Sequence, residues 1–194
     1  MKKWMKRGAI ALLALALVCA AAGGLSRPGA AATAQKEFRG MWVATVYNLD
    51  YPSRGTTDPK TLKKQADEIL QGCVEMGMTA VILQVRPSCD ALYPSEIFPW
   101  SKYLTGAQGV APEGGFDPLE YWVERAHALG LELHAWINPF RVTKGGAQEW
   151  NALDADNPAA RHHEWVVEHQ GNYYLDPGLP EVREIGRASC RERV

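Results

Sequence analysis

Two segments of this chain are written in one grammar, and that repetition limits its folds more than any other feature. The first, DPKTLKKQADEILQGCVEMGMTAVILQVRP, sets Asp58 as an N-cap and Pro59 at the first helical position. Leu62, Ala66, Ile69, Leu70 and Cys73 then fall on one helical face, Gly77 closes the helix, and Thr79 to Val85 is a strand pattern. The second, DPLEYWVERAHALGLELHAWINP, repeats this with Asp117, Pro118, an apolar face of Trp122, Val123, Ala126 and Leu129, the stop Gly130, and a strand from Leu131. A helix, a glycine and a nearly continuous apolar strand form the αβ half of a βαβ unit. Strands this apolar are expected to be covered on both faces. The expected class is therefore α/β with a parallel sheet or barrel.

Flanking segments extend the series. Phe38 to Asn48 is expected as the first strand and Asn172 to Gly178 as the fourth, with residues 157–170 a short helix capped by Asn157 ahead of Pro158. The connection from Arg86 to Asp117 is long and rich in Pro, Gly, Ser and aromatics, a length associated with function in compact domains. From Pro180 a further helix is expected to break after six residues, where Gly186 and three arginines replace its apolar face. Residues 184–194 are accordingly read as an artefactual tail.

The chain of 194 residues carries a formal net charge of −1, which excludes a nucleic-acid-coating protein. Residues 1–34 are expected to be a secretory signal peptide: a basic start, the apolar run Ala9 to Leu25, and Ala32-Thr33-Ala34 before Gln35. An uncleaved membrane anchor is the rival reading, and either places the protein outside the cytoplasm or at the cell envelope. Leu17-Val18 lacks the small residue that lipidation at Cys19 needs. Between the signal and the tail only Cys73 and Cys89 remain, too few for a disulfide framework, so stability must come from a packed core. About 150 residues suffice for such a core but fall short of the ~250 of a closed (β/α) barrel.

Each expected strand ends in polar and aromatic residues: Trp42 and Asn48, Gln84 and Arg86, His134, Trp136, Asn138 and Arg141, then Asp176. In parallel α/β folds the carboxyl ends of the strands carry the ligand site. Aromatic faces stack on sugar rings, while amides and guanidiniums bond hydroxyls and carboxylates. No glycine-rich phosphate loop is present. A polysaccharide ligand follows, with no cofactor called for. His162, His163 and His169 lie on a polar segment without acids or cysteines at ligand spacing, so they are read as a solvated face rather than a metal site.

The stretches EFRGMWVATVYNLDYPS, QVRPSCDALYPS with the PWS that follows, and AWINPFR resemble the glycosyl-hydrolase-like 10 family of bacterial exported proteins from about Glu37 to Glu184. The resemblance implies a (β/α)8 TIM-type barrel, here truncated to about its first four strands, acting on cell-wall (peptidoglycan) or other glycans. It places Trp42, Gln84, Arg86, Asp90, His134, Trp136, Asn138 and Arg141 at pocket positions. Hydrolysis of a glycosidic bond commonly takes two carboxyl groups. Asp90 is the best catalytic candidate present, with turn formation its competing duty, and Asp176 before Pro-Gly fits a turn better. A further acid is expected in a family segment of the form HFDD, which this sequence does not contain; four strands of an eight-stranded barrel would also leave the sheet open, with an unpaired edge and an uncovered inner face, so the chain as written is expected to be poorly stable and inactive. A non-catalytic glycan-binding protein on the same scaffold and an unrelated α/β enzyme are the alternatives.

Overall fold

The structure, a computed structural model, describes residues 37–192, apart from the side chains of Ser189 and Cys190. The expected signal peptide lies outside the described residues. Among those described, no helix is long and apolar enough to cross a membrane.

The twice-used grammar folds as written. Helix α1 (Pro59–Glu75) starts where the Asp58 carboxylate accepts from the backbone N–H groups of Lys60 and Thr61, both at 3.1 Å. Those are two of the donors a helix start leaves unpaired. Gly77 then takes a left-handed φ of 70°, and β2 (Ala80–Arg86) begins three residues later. After the long connection, Asp117 accepts from Leu119 and Glu120 to start α3 (Pro118–Ala128), and Gly130, φ 73°, leads to β3 (Glu132–Ile137). That connection is itself structured: it holds the four-residue helix α2 (Lys102–Thr105), capped by Ser101, and an Ala91 to Trp100 bridge.

With β1 (Gly40–Val43), these strands form a parallel sheet of order β1-β2-β3. Val81, Leu83 and Val85 bury against Leu62, Ala66, Leu70 and Cys73 of α1 and Trp122 and Ala126 of α3. Asp67 clamps the two helices, accepting from the Tyr121 hydroxyl and Arg125 Nε, both at 2.8 Å. The helices cover one face only. The opposite face carries Trp42, 60% exposed, and the exposed His134, so coverage on both faces does not hold among the described residues. The sheet is open at both edges; the described residues form a mixed α/β unit with a parallel sheet and no closed barrel.

Four expected elements are corrected. The first strand stops at Val43 instead of reaching Asn48, because Gln84 Oε1 takes the N–H groups of Thr45 and Val46 at 3.0 and 2.9 Å. Tyr47 and Asn48 follow with φ of 57° and 52°, in a 3-10 turn over Val46–Asn48. The helix expected over 157–170 shrinks to α5 (Pro158–Arg161), preceded by the short α4 (Gly146–Trp150) and followed by a 3-10 turn. Beyond it β4 (Val166–His169) and β5 (Asn172–Leu175) pair antiparallel, so the fourth expected strand does not extend the parallel sheet. Gln170 and Gly171, φ 51° and 75°, supply the two positive-φ turn positions that suit a tight hairpin. The last helix, α6 (Pro180–Arg191), is not broken at Glu184 but runs through Gly186. One glycine costs a helix only about 1 kcal/mol, and Val182 buries in the core with Ile185 packed beside it.

Candidate functional site

Strand register places the site. Trp42 lies beside Ile82, Ile82 beside His134, and Gln84 beside Trp136. Side chains alternate across a strand, so the even-numbered residues Trp42, Gln84, His134 and Trp136 share the face turned away from the helices, while an irregularity between Gln84 and Arg86 sets Arg86 beside Ile137. The indoles of Trp42 and Trp136 meet edge to face across β2, 5.0 Å apart at 81°. Phe38 and His134 repeat that geometry at 5.4 Å and 89°. Glu132 stands on the same face, its carboxylate 3.1 Å from His134 Nε2.

At the carboxyl end of the sheet the polar groups are held in place. Trp136 Nε1 donates to Asn138 Oδ1 at 3.1 Å, and Asn138 Nδ2 donates to the Pro87 carbonyl at 2.9 Å. Gln84 is fully buried; its Oε1 is saturated by the two backbone donors, while Nε2 has no partner among the described residues. Arg86, also fully buried, lays its guanidinium 3.5 Å from the centre of the Phe98 ring, and Nε, Nη1 and Nη2 all lack partners. Burial pushes that guanidinium below its ordinary pKa.

Asp90 does not stand on the open face. It is buried in the loop after β2, where Ser88 N donates at 3.1 Å and Gln108 Nε2 at 3.5 Å, with the Ser101 hydroxyl beside it. Burial outweighs those bonds and raises its carboxyl pKa. It lines a cavity of about 20 Å³ together with Lys102, Gln108 and Glu149, which suits one water rather than a sugar. Glu149 was not anticipated. Its carboxylate binds Lys102 Nζ, the Tyr103 hydroxyl, and the backbone N–H groups of Lys144 and Gly145. Burial alone would raise its pKa, but Lys102 and the two backbone donors hold it below the ordinary range. GGAQEW carries no periodic or motif signal that would have singled it out.

The remaining candidates stand apart from the tryptophan face. Asn48 Nδ2 donates to the carbonyls of Pro52 and Tyr103, tying the loop after β1 to α2. Arg141 forms an isolated antiparallel bridge with Tyr174. Asp176 Oδ1 accepts from Gly178 N at 2.7 Å, a turn bond. His162 stacks on Trp165 at 3.8 Å and His163 meets Trp150. Among the described residues no group of three metal-ligating side chains is assembled.

A family model described as glycosyl hydrolase-like 10 matches residues 37–194. The glycosyl hydrolase YngK of Bacillus subtilis (strain 168) is 43% identical over 154 residues, covering 79% of this chain and 30% of that protein. The glycosyl hydrolase DigH of Escherichia coli (strain K12) is 35% identical over 175 residues, covering 83% of this chain and 39% of that protein. The chain thus spans between 30% and 39% of the length of these relatives. A parallel sheet with its polar and aromatic side chains gathered on one open face, and a family match over the whole described region, lead to one statement: the chain belongs to the glycosyl hydrolase-like 10 family.

Proposed function

We propose that residues 37–183 are the first part of a (β/α)8 barrel whose inner face is the open face of β1-β2-β3, and that the complete protein hydrolyses glycosidic bonds in an exported glycan, with cell-wall peptidoglycan strands the favoured substrate. The observation that carries this reading is the crossed Trp42 and Trp136 pair beside the anchored Asn138 amide, a sugar-stacking surface at the carboxyl end of a parallel sheet. On the strand between them, Gln84 Nε2 and the Arg86 guanidinium are buried donors with no hydrogen-bond partner among the described residues. Residues 1–34 would direct export.

Hydrolysis through paired carboxyls needs both of them to reach the sugar. Among the described residues the open face offers only Glu132, while Asp90 is enclosed, so the reaction needs an acid beyond these strands. This favours a second reading, a glycan-binding protein without catalysis. Release of reducing ends from purified peptidoglycan glycan strands by the protein carrying this region separates the two. Release establishes hydrolysis; retention of the strands without release establishes the binding module, and neither refutes the glycan reading.

A further inference from the structure

We propose that a second cavity, of about 400 Å³, is an accessory subsite for one uncharged or ammonium-bearing sugar unit, and that it excludes sugars bearing carboxylates. The inference rests on the glycan reading above but on different residues. The cavity lies between the loop after β2, which supplies Glu96, Phe98 and Trp100, and the segment before α5, which supplies Asp154 and Asp156, with Arg161 at its edge. Both segments follow the carboxyl ends of neighbouring parallel strands, the side on which such folds hold ligands. Its volume falls within the range of small-molecule sites.

The walls are built rather than incidental. Gln108 Oε1 accepts from Asp154 N at 2.8 Å and from Asn157 Nδ2 at 3.2 Å, and Asn157, fully buried, also donates to the Cys89 carbonyl at 2.8 Å. These bonds stitch one loop to the other. Asp154 Oδ1 is oriented by Asp156 N at 2.8 Å. Gly109, φ 82°, leaves the space its carboxylate occupies: a Cβ there would stand 2.3 Å from Asp154 Oδ2. Arg161 is held by the Asp156 carbonyl at 2.9 Å. The ring of Phe98 has its position fixed by the Arg86 guanidinium. Among the described residues, no hydrogen bond engages the Glu96 and Asp156 carboxylates or the Trp100 indole N–H.

The chemistry of this lining chooses the ligand. The lining is mainly polar: carboxylate oxygens accept from vicinal hydroxyls, and the half-buried Trp100 indole, backed by the buried Phe98, adds a limited apolar contact for a pyranose. Three carboxylates against one guanidinium leave a negative field, which repels a sugar acid and attracts an ammonium group.

Calorimetric titration of the protein with chitotetraose, its deacetylated tetramer and tetragalacturonate tests this. The first two are expected to bind and the third not to. Asp154→Asn and Trp100→Ala are each expected to weaken chitotetraose by about tenfold, the scale of a lost charge-assisted bond or aromatic contact. Asp156→Asn, on an exposed turn, gives a second readout should either fail to fold, with a smaller loss. Equal binding of tetragalacturonate, no binding of chitotetraose, or unchanged affinity in the variants overturns the proposal. Cleavage of peptidoglycan strands is scored separately. Cleavage with unaltered chitotetraose affinity in the variants removes the subsite alone, and absence of all glycan binding and cleavage removes both readings.

Discussion

Replacing Arg86 by methionine is expected to make the protein more stable and less able to bind glycan. Its guanidinium is fully buried and makes none of its five available hydrogen bonds among the described residues. Asp90, a buried acid whose charge acts on it, makes no hydrogen bond to it among the described residues, and burial raises that carboxyl's own pKa. An ion desolvated this way costs several kcal/mol, of which stacking on Phe98 returns about 2 kcal/mol. Methionine keeps the unbranched stem and recovers about 0.3–1.5 kcal/mol from its sulfur against the ring. The balance favours Arg86→Met by roughly 1–3 kcal/mol, read as a higher urea midpoint at unchanged slope, or a rise of about 2–4 °C per kcal/mol in melting temperature. Glycan binding should fall in the same variant, and Arg86→Lys should not restore it, since an ammonium lacks the planar fork. A loss of more than about 1 kcal/mol in Arg86→Met would show that the guanidinium is a structural group already satisfied in the fold, and the reasoning would fail.

Three further outcomes follow from the same geometry. Glu149→Gln should lower stability by about 2–4 kcal/mol at neutral pH, because it strips the charge from a carboxylate gathering four donors. Glu149 has a depressed pKa, so its contribution is present above the ordinary glutamate range and lost as pH falls through the folded value; the penalty should vanish in acid denaturation profiles. Asp90→Asn should act in the opposite direction. A raised carboxyl contributes stability below the ordinary aspartate range and loses it as pH rises through the folded value, so the variant should gain on wild type at neutral pH and show no gain in acid; no gain at neutral pH would sink this reading. Trp42→Ala should change the unfolding midpoint by less than about 0.5 kcal/mol, because the side chain is largely exposed. It should weaken glycan strands by about tenfold, measured by pull-down or titration; unchanged affinity would remove the tryptophan pair from the site.

What could be read in advance depended on how local the cause was. Asp58 and Asp117 cap their own helices, and Gly77 and Gly130 supply their own left-handed turns, so both αβ units were visible in single stretches. The end of β1 was not, because it is set by Gln84, about forty positions away. The β4–β5 hairpin had a local signal in Gln170-Gly171, but the preceding Asn157-Pro158 start suggested a longer helix than α5, which stops after four residues. For the site, the residue types were legible and the shared face was not used: Trp42, Gln84, His134 and Trp136 are all even-numbered, and alternation alone would have set them together, whereas the irregularity before Arg86 has no local signal. Asp90 shows the reverse error of inference, where a carboxylate of the right type in the right loop turns inward to hold that loop.

Gln84 links these observations into one physical account. A buried primary amide has two acceptor sites and two donors to satisfy, and here the fold spends only the acceptors, on Thr45 and Val46. Those two bonds bend the chain away after Val43, which ends β1 just beyond Trp42 and leaves that indole at the rim. Among the described residues the same side chain keeps its Nε2 without a hydrogen-bond partner, two residues before Arg86, whose guanidinium likewise has none. An orphaned buried donor costs about 1–3 kcal/mol, so two neighbours on one strand are not a neutral accident of packing. They make β2 the costly strand of the sheet, flanked by the tryptophans of β1 and β3. Both groups are enclosed, so an oxygen from outside the described residues reaches them only where the side chains covering β2 move aside, and its bond then replaces no protein hydrogen bond among the described residues.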